Sequence, residues 1–466
     1  MGKVSFFYNK HNFIKRGYFY VGIVAIIAMI SFNNFSSVHF SPVIFLGVFF
    51  VFASLCERNE LLALIACCIP FSVGFQYKFG ILICLTIYFI KYYKDIELKW
   101  PIIILFSFIA FWELIHVVMA KESIYFYARD FFGVILCVYI ALTSLKFIDY
   151  PFIIRVFVFA SIGIMIVLFI EQLTQNSYNF RDVFKKGFRF GSNKQAANEY
   201  ALLFNPNMLG FICNMCIVGI MQLLISKRYI ILDFLLIIPP IFFGVMTMSR
   251  AFLFCFTIIL FMFLIVGKVS VRKKLIRACI TIGLLLIIVL FVFILMPTVV
   301  EGFIKRFKVD DISNHRIELF VFYNKHIFSS KKYYLFGIGL QSVGQKLLTM
   351  YPEIIYVCHN GIQQIVIAWG IPGILAFTAL MFCIVRKALK RVKFSLLNFM
   401  PMILICVNIQ FDQFLSEGLT LIMLAISIVS INYDFYARLE ELEVERNKNL
   451  LSIIFSAIIG KKSNGK

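Results

Sequence analysis

The stretch FIIRVFVFASIGIMIVLFIEQL, residues 152–173, decides the fold of this chain because it is an apolar run of membrane-spanning length. An α-helix needs about 20 apolar residues to cross the hydrocarbon core of a bilayer. Comparable runs recur from Tyr18 to Asn432 with no polar domain between them. The sequence therefore predicts a single all-α polytopic membrane domain.

The composition favours the same fold class. Hydrophobic residues make up 61% of the 466 residues and charged residues only 15%, whereas soluble domains carry about 45–50% apolar and about 25% charged residues. The excess of apolar side chains needs lipid to cover it. We expect 12–14 transmembrane helices. The candidate spans are residues 18–33, 41–55, 61–75, 79–91, 101–119, 128–146, 152–173, 201–225, 229–247, 250–267, 277–296, 361–385, 396–412 and 417–433.

The formal net charge of +21 indicates topology and not nucleic-acid binding. The basic residues lie in short loops between apolar runs, and cytoplasmic loops of membrane proteins hold the excess of Lys and Arg. An even number of spans then places both termini in the cytoplasm. The clusters expected inside are Lys10/Lys15/Arg16, Lys91/Lys94/Lys99, Lys227/Arg228, Lys268/Arg272/Lys273/Lys274/Arg277 and Arg386/Lys387/Lys390/Arg391/Lys393.

Two predicted outer segments are longer than ordinary connections, and long loops usually carry function. They cover residues 175–200 and 297–359. Apolar spacing over residues 317–323 predicts a helix along the membrane surface within the second segment. We assign residues 1–434 to the membrane domain and the polar residues 435–466 to a cytoplasmic tail.

The sequence CHNGIQQIVIAWGIPGIL, residues 358–375, carries the sharpest chemical signal. His359 and Asn360 end the large outer loop, and Gly370 and Gly373 follow in the next helix. A neutral imidazole at a helix mouth can accept a proton from an attacking hydroxyl, and Asn360 can orient the imidazole or cap the helix. The alternative is an interfacial helix cap followed by glycines for close helix packing.

Arginines are the second feature of the predicted outer face. Arg250 lies between two apolar runs, where a retained charge indicates function, although it could also be an anchor that reaches to the interface. Arg181, Arg189 and Arg316 lie on the same face. The planar guanidinium suits bidentate phosphate contact, so several arginines could clamp a diphosphate. Attraction of the neighbouring lysines to lipid head groups is the simpler explanation for those lysines.

Other polar residues in the apolar runs give weaker signals. Glu113 and His116 are three residues apart on one helix face, but no second pair completes a carboxylate metal site. We expect them to be polar residues near the interface. Cys213 and Cys216 have CxxC spacing within a predicted span, where thiols behave as small hydrophobes. The sequence has no Walker-type phosphate loop, and we expect no metal and no cofactor.

Taken with its surroundings, the His-Asn motif resembles that of the bacterial O-antigen ligase and O-antigen or capsular polysaccharide polymerase superfamily. Three further stretches resemble this superfamily in the same order: RFGSNKQAANEYALLFNPNMLG (189–210, with Asn207), TMSRAFLF (247–254, with Ser249) and SNHRIELF (313–320) followed by LFGIGL. The similarity covers about residues 185–385. The spacing from Arg189 to Asn207 is longer than the family pattern, so Arg181 remains an alternative counterpart.

The resemblance implies a glycosyltransferase-C-like fold and glycosyl transfer at the outer face of the bacterial cytoplasmic membrane. Its substrate would be an oligosaccharide linked to undecaprenyl diphosphate. Its other expected partners are the lipid bilayer and a chain-length regulator in the membrane, with no nucleic acid. The implied roles are diphosphate binding by Arg250 and Arg189 (or Arg181), diphosphate or glycan binding by Arg316, activation of the acceptor hydroxyl by His359, and substrate binding by Asn360, Ser249 and Asn207.

Within this superfamily the sequence leaves the acceptor open. We favour a polymerase that joins repeat units of O-antigen or capsule. The alternatives are a ligase that transfers finished glycan to lipid A core and a protein O-glycosyltransferase of the same superfamily. A transporter or flippase for lipid-linked glycan is the alternative from a different class. It would bury charges near mid-membrane or contain paired broken helices.

Overall fold

A computed structural model gives the architecture of the chain. It describes residues 2–35, 41–72, 75–120, 124–145, 148–185, 188–191, 204–226, 231–266, 297–307, 316–340, 358–410 and 419–435, and scattered residues between 272 and 294. Within these residues all the regular secondary structure is helical. The only β-type pairing among them is an isolated bridge between Ile96 and Thr143. The all-α fold class is confirmed.

The helices are numbered in chain order. They are α1 Gly2–Phe35, α2 Pro42–Leu55, α3 Arg58–Cys68, α4 Phe75–Tyr92, α5 Trp100–Ala120, α6 Ile124–Leu142, α7 Tyr150–Gln175, α8 Phe180–Lys185, α9 Pro206–Ile225, α10 Ile231–Leu236, α11 Ile238–Met246, α12 Arg250–Ile265, α13 Pro297–Phe307, α14 Arg316–Ser329, α15 Lys331–Phe336, α16 Gly361–Leu389, α17 Leu396–Asn408 and α18 Leu419–Ile431.

Helices occupy thirteen of the fourteen predicted spans, and most of the remaining one, 277–296, lies outside the described residues. Four helices, α5, α7, α9 and α16, are long and apolar enough to cross a membrane by length and composition. The predicted span 229–247 differs from expectation because it is divided into α10 and α11 at Ile237. Pro239 and Pro240 follow this break, and proline removes a backbone donor from the helix. Residues 436–466 of the predicted tail and parts of both long outer segments lie outside the described residues.

Several helices begin at the residue types that best cap a helix. Asp149 precedes α7 and its carboxylate accepts a hydrogen bond from the Phe152 amide over 3.2 Å. Ser41 caps α2 in the same way, and Pro42 occupies the first helical position. A side-chain oxygen at the cap satisfies a backbone N–H that has no partner within the helix. Local sequence therefore fixes where these helices start.

The burial pattern places α9 and α18 at the centre of the bundle and α5 at its periphery. Nearly every residue of α9 and all thirteen of α18 are buried. In contrast, α5 exposes Ile104, Phe108, Phe111 and Val118. A soluble protein rarely exposes a continuous apolar surface of this kind. The exposed faces of the outer helices are typical of a membrane protein.

Charged side chains from three segments meet at one end of the bundle. Glu97 lies 3.5 Å from the Lys387 ammonium and also pairs with Arg391. Burial alone would raise the pKa of Glu97, but the two cations outweigh it and hold the pKa below its usual value. Nearby, Arg58 and Asp95 pair at 2.6 Å. Two of the predicted basic clusters, around Lys91 and Lys387, therefore share one end of the bundle. We call it the opposite end, because the candidate site lies at the other end.

Candidate functional site

Helix contacts show which helix ends lie together on the other side of the bundle. Gln222 near the end of α9 donates a hydrogen bond to the carbonyl oxygen of Leu397 at the start of α17, over 2.6 Å. The two helices pack together and therefore run antiparallel. At the far end of α17, the Ile409 carbonyl accepts a hydrogen bond from the Gly361 amide over 2.7 Å. The starts of α9 and α16 thus share one end, which we call the site end.

The N-termini of α9 and α12 meet directly at the site end. Ser249 caps α12 and donates its hydroxyl proton to the side-chain oxygen of Asn207 over 2.8 Å. Asn205 caps α9 by accepting a hydrogen bond from the Met208 amide over 2.8 Å. The N-terminus of a helix carries partial positive charge and amide N–H groups without partners in the helix. Two such ends side by side favour the binding of an anion.

Arg189 lies on a short segment fixed against this junction. Its Nε donates to the Thr247 carbonyl over 3.2 Å, two residues before Ser249. Gln172 at the end of α7 holds the segment from the other side. Its side-chain nitrogen donates to the Arg189 carbonyl, and its side-chain oxygen accepts from the Gly191 backbone amide. Gly191 has φ of +81°, a conformation that favours glycine. Arg189, Ser249 and Asn207 therefore belong to one cluster.

The turn before α12 has an unusual backbone. Met248 has φ of +50° and is buried, and a non-glycine residue in this region is held there only by its surroundings. Helix α13 supplies part of these surroundings, since a β-carbon at Gly302 would lie 2.6 Å from the Met248 sulfur. Close packing by α13 thus supports the turn that leads to Ser249 and Arg250.

Arg250 and Arg316 occupy equivalent positions in their helices. Each is the first residue of its helix, α12 and α14 respectively, and each is partly buried. A cation there opposes the helix macrodipole, which favours negative charge at this end. Helix stability therefore does not explain either arginine, whereas a bound anion would interact favourably with both the guanidinium and the helix terminus.

The predicted helix over 317–323 is present as α14, and it docks on the start of α16 through one glutamine. Gln363 donates its side-chain amide to the Phe320 carbonyl over 2.9 Å and to the Asn324 side-chain oxygen over 2.8 Å. Arg316 lies one helical turn before Phe320, and His359 lies four positions before Gln363, just ahead of the Asn360 cap. This docking brings the predicted base and one predicted arginine into one cluster.

The electrostatic environment of His359 reflects that neighbour. Burial, and second the positive charge of Arg316, lower the pKa of His359 to about 4. The imidazole is therefore neutral near pH 7 and can accept a hydrogen bond or a proton. The positive charge of Arg316 thus disfavours a proton on this imidazole. An anion at Arg316 would make His359 a stronger base.

Asn360 serves as the helix cap of α16. Its side-chain oxygen accepts hydrogen bonds from the Ile362 and Gln363 amides over 3.1 and 3.0 Å. Its side-chain amide donates to Gln410 over 3.2 Å. Of the two functions that the sequence left open for Asn360, the structure shows capping.

Cys358 is also tied into this start of α16. Its thiol points to the Gln363 side-chain oxygen at 3.4 Å, and its carbonyl accepts from Gln364 over 2.8 Å. Burial raises the pKa of the Cys358 thiol to about 12, so the group stays protonated near pH 7. The residue on either side of His359 is thus fixed by hydrogen bonds.

Helix α16 breaks at Gly370, which has φ of +66° and ψ of −169°. A β-carbon there would lie 2.5 Å from the Leu335 carbonyl oxygen. Across the break, Gly337 has φ of +76°, and a β-carbon on it would lie 2.4 Å from the Ala368 carbonyl oxygen. The first glycine of the GIPG sequence therefore allows a close backbone approach between α16 and the last residues of α15.

Glu113 and His116 secure this approach, a role that the sequence did not indicate. The buried Glu113 carboxylate accepts from the Trp369 indole over 2.7 Å and from the Leu340 amide over 3.0 Å. His116 Nε2 lies 2.9 Å from the Phe336 carbonyl oxygen. The acid and the imidazole are tied to the main chain and to an indole. Their spacing on α5 was visible in the sequence, but their partners lie more than 200 residues away.

Other predicted site features are not described by the structure. The backbone of Arg181 belongs to α8, but its side chain lies outside the described residues. Arg189 has described contacts, and the choice between Arg181 and Arg189 as the diphosphate-binding residue stays a prediction. Within the residues searched, no group of three or more His, Cys, Asp or Glu side chains could hold a metal ion.

The described part of the chain is an all-helical protein with the apolar helices of a membrane protein and two arginine-containing clusters at one end of the bundle. No protein-family model matches this chain, and a comparison with curated proteins finds no match either.

Proposed function

We propose that the protein is a polysaccharide repeat-unit polymerase of the bacterial cytoplasmic membrane. It would transfer glycan from an undecaprenyl-diphosphate-linked donor to a lipid-linked acceptor. The observation that carries this proposal is the placement of Arg250 and Arg316 at the first residues of two helices, with neutral His359 beside Arg316. Positive helix ends, guanidinium groups and one available base are what transfer from a diphosphate donor requires.

The chemistry is glycosyl transfer with a diphosphate leaving group. The oxygen of the acceptor hydroxyl forms a bond to the anomeric carbon of the donor, and the bond from that carbon to the phosphate oxygen breaks. His359 takes the hydroxyl proton, and undecaprenyl diphosphate leaves with the electron pair. Arg250 and Arg189 stabilise the charge that grows on this leaving group, which lowers the barrier more than it strengthens ground-state binding.

The diphosphate also prepares the base. In the free protein, the charge of Arg316 disfavours a proton on His359. Placed beside Arg316, a diphosphate would offset that charge and raise the pKa of the imidazole, because an opposite charge nearby favours the protonated form. His359 would then accept a proton effectively only when the donor is bound.

The orientation in the membrane is part of the proposal. Lys387, Arg391 and Lys91 lie at the opposite end of the bundle, and the Lys and Arg excess of membrane proteins faces the cytoplasm. The site end would then face outward, where lipid-linked glycans are assembled. The glycosyltransferase-C-like architecture belongs to the same proposal.

Transport is a second candidate because of one observation. Helix α16 is broken at Gly370, and Ile237 separates α10 from α11. Discontinuous helices are typical of secondary transporters, in which they form substrate sites near mid-membrane. Transfer explains the arginines at the helix ends better, since these lie at one end of the bundle. A flippase would retain activity without His359.

Glycan analysis of a deletion strain tests the proposal. A single repeat unit on lipid A core would identify a lost polymerase, and accumulated polyprenol-linked polymer would identify a lost ligase. Re-expression of wild-type protein should restore long chains, whereas His359→Ala should not, at equal protein level in the membrane. Full chain length with His359→Ala would refute the role of His359 as the base. The matched control is His326→Ala, which changes another histidine of the same outer segment.

A further inference from the structure

The two elements that carry Arg316 and His359 contact each other through one side chain. Only the first residues of α16 lie between His359 and Gln363, and only four positions separate Arg316 from Phe320. The Gln363 side chain joins these elements through both of its polar atoms. Its amide nitrogen contacts Phe320 and Asn324 on α14, and its oxygen accepts from the Cys358 thiol.

From these contacts we propose that Gln363 is a positioning residue, which sets the distance between the Arg316 guanidinium and the His359 imidazole. The inference deepens the proposed function, because it assigns to Gln363 the relation between the diphosphate-binding group and the base. Nothing in the His-Asn motif itself points to Gln363, which lies inside the helix that the motif begins.

Burial and several hydrogen bonds fix the Gln363 side chain between the two elements. The Gln363 side chain is almost fully buried, and a buried amide that loses its hydrogen-bond partners destabilises the fold. One amide group reaches a main-chain oxygen and a side-chain oxygen on successive turns of α14. Two bonds from one planar group fix orientation as well as distance. Helix α14 is otherwise largely exposed along Ile317, Phe320 and Val321.

A matched control exists at the opposite end of the bundle. Gln222 is also buried, and its amide also donates to one main-chain oxygen, on Leu397, and one side-chain oxygen, on Ser430. Its oxygen accepts from the Tyr150 hydroxyl over 2.5 Å. Substitution of Gln222 should therefore disturb packing to a similar degree without reaching His359.

The experiment follows the His359 imidazole by NMR of full-length protein in lipid nanodiscs, with labelled histidine and His359→Asn for assignment. Wild-type protein should titrate near pH 4, the value that burial and Arg316 give. Gln363→Leu removes the two donors without adding charge. It should move the midpoint upward because Arg316 is released, while the larger effect of burial remains. Gln222→Leu should leave the midpoint unchanged.

Two further variants keep the test decisive. Asn324→Ala removes one of the two acceptors of the Gln363 amide, at a partly buried position. It should raise the midpoint by less than Gln363→Leu does, and it keeps the test possible where Gln363→Leu does not fold. Arg316→Gln should raise the midpoint, and adding Gln363→Leu to it should have no further effect. An unchanged midpoint in folded Gln363→Leu, or in Asn324→Ala where the former does not fold, overturns the positioning role.

The chain-length assay separates this inference from the proposed function. Gln363→Leu should shorten the glycan chains at equal protein level, and Gln222→Leu should not. A shifted midpoint in a protein that proves to have no role in glycan synthesis would refute the polymerase and keep the positioning role. Normal chains and a normal midpoint in Gln363→Leu would refute the positioning role alone.

Discussion

The carboxylate of Glu113 accepts a hydrogen bond from the indole nitrogen of Trp369 over 2.7 Å, across 256 positions of sequence. The same carboxylate accepts from the Leu340 amide. A single acidic side chain on α5 thus holds both the broken helix α16 and the segment that docks on its break. The first part of α16, which begins beside His359, is therefore held at its start by the Gln363 contacts and before its break by the Trp369 contact.

The first prediction concerns this carboxylate. Glu113→Gln keeps one acceptor oxygen but introduces donors beside the Leu340 amide and the Trp369 indole, which are themselves donors. We expect a loss of about 1–3 kcal/mol in the free energy of unfolding, measured as a lower thermal midpoint in detergent. Glu301→Gln, at an exposed position of α13, is the control and should leave the midpoint unchanged. Equal stability of the two variants would show that the Glu113 contacts contribute little.

The second prediction compares two glycine substitutions. Gly370→Ala places a β-carbon 2.5 Å from the Leu335 carbonyl oxygen at φ of +66°, so the docked backbone has to move apart. We expect a marked fall in folded protein by size-exclusion chromatography. Gly47→Ala in α2 meets nothing within 4 Å and should be neutral or stabilising by about 0.5–1 kcal/mol, because alanine is the better helix former. Similar yields of both variants would contradict the close approach.

The third prediction is a pH dependence of stability. His359 has a pKa of about 4 in the folded protein and about 6.5 in the unfolded chain. Between these values the unfolded chain binds more protons, so the free energy of unfolding falls as the pH falls from 6.5 toward 4. Above pH 6.5 this effect is absent. The thermal midpoint of wild type should therefore drop more over that interval than that of His359→Asn, and parallel curves would argue against the lowered pKa.

The fourth prediction tests the guanidinium of Arg250. Arg250→Lys keeps the charge at the start of α12 but loses the planar fork that makes bidentate phosphate contacts. We expect shorter or fewer glycan chains at equal membrane level of the protein, by gel analysis of the glycan. Arg386→Lys near the far end of α16 is the control and should give wild-type chains. Full chain length with Arg250→Lys would indicate an interfacial anchor.

Local signals in the sequence predict the helices well. The period and length of the apolar runs predict helices, because the backbone N–H and C=O groups of a membrane span must form hydrogen bonds within their own segment. Caps such as Asn205 and Ser249 mark helix starts through contacts within three residues. The sequence predicts one span over 229–247 and not the division at Ile237, because hydropathy averaged over about 19 residues changes little with two prolines.

The site was predictable only in part. The sequence selected Arg189, Arg250, Arg316 and His359 by residue type and by their place between apolar runs. It did not indicate Gln363, a polar residue in a helix that could face any direction. The meeting of Ser249 with Asn207 joins segments 42 positions apart, and no periodicity encodes such a pairing.

By itself the sequence determined that the chain is all-helical and apolar, where most helices begin, and which residues could meet an anion. These are properties of single segments, governed by hydrogen bonding and hydropathy along the chain. Only the tertiary structure decided that Arg316 lies beside His359, that Asn360 caps a helix and that Glu113 is a buried anchor. Those relations depend on contacts between distant segments, and packing selects them among many arrangements with the same local pattern.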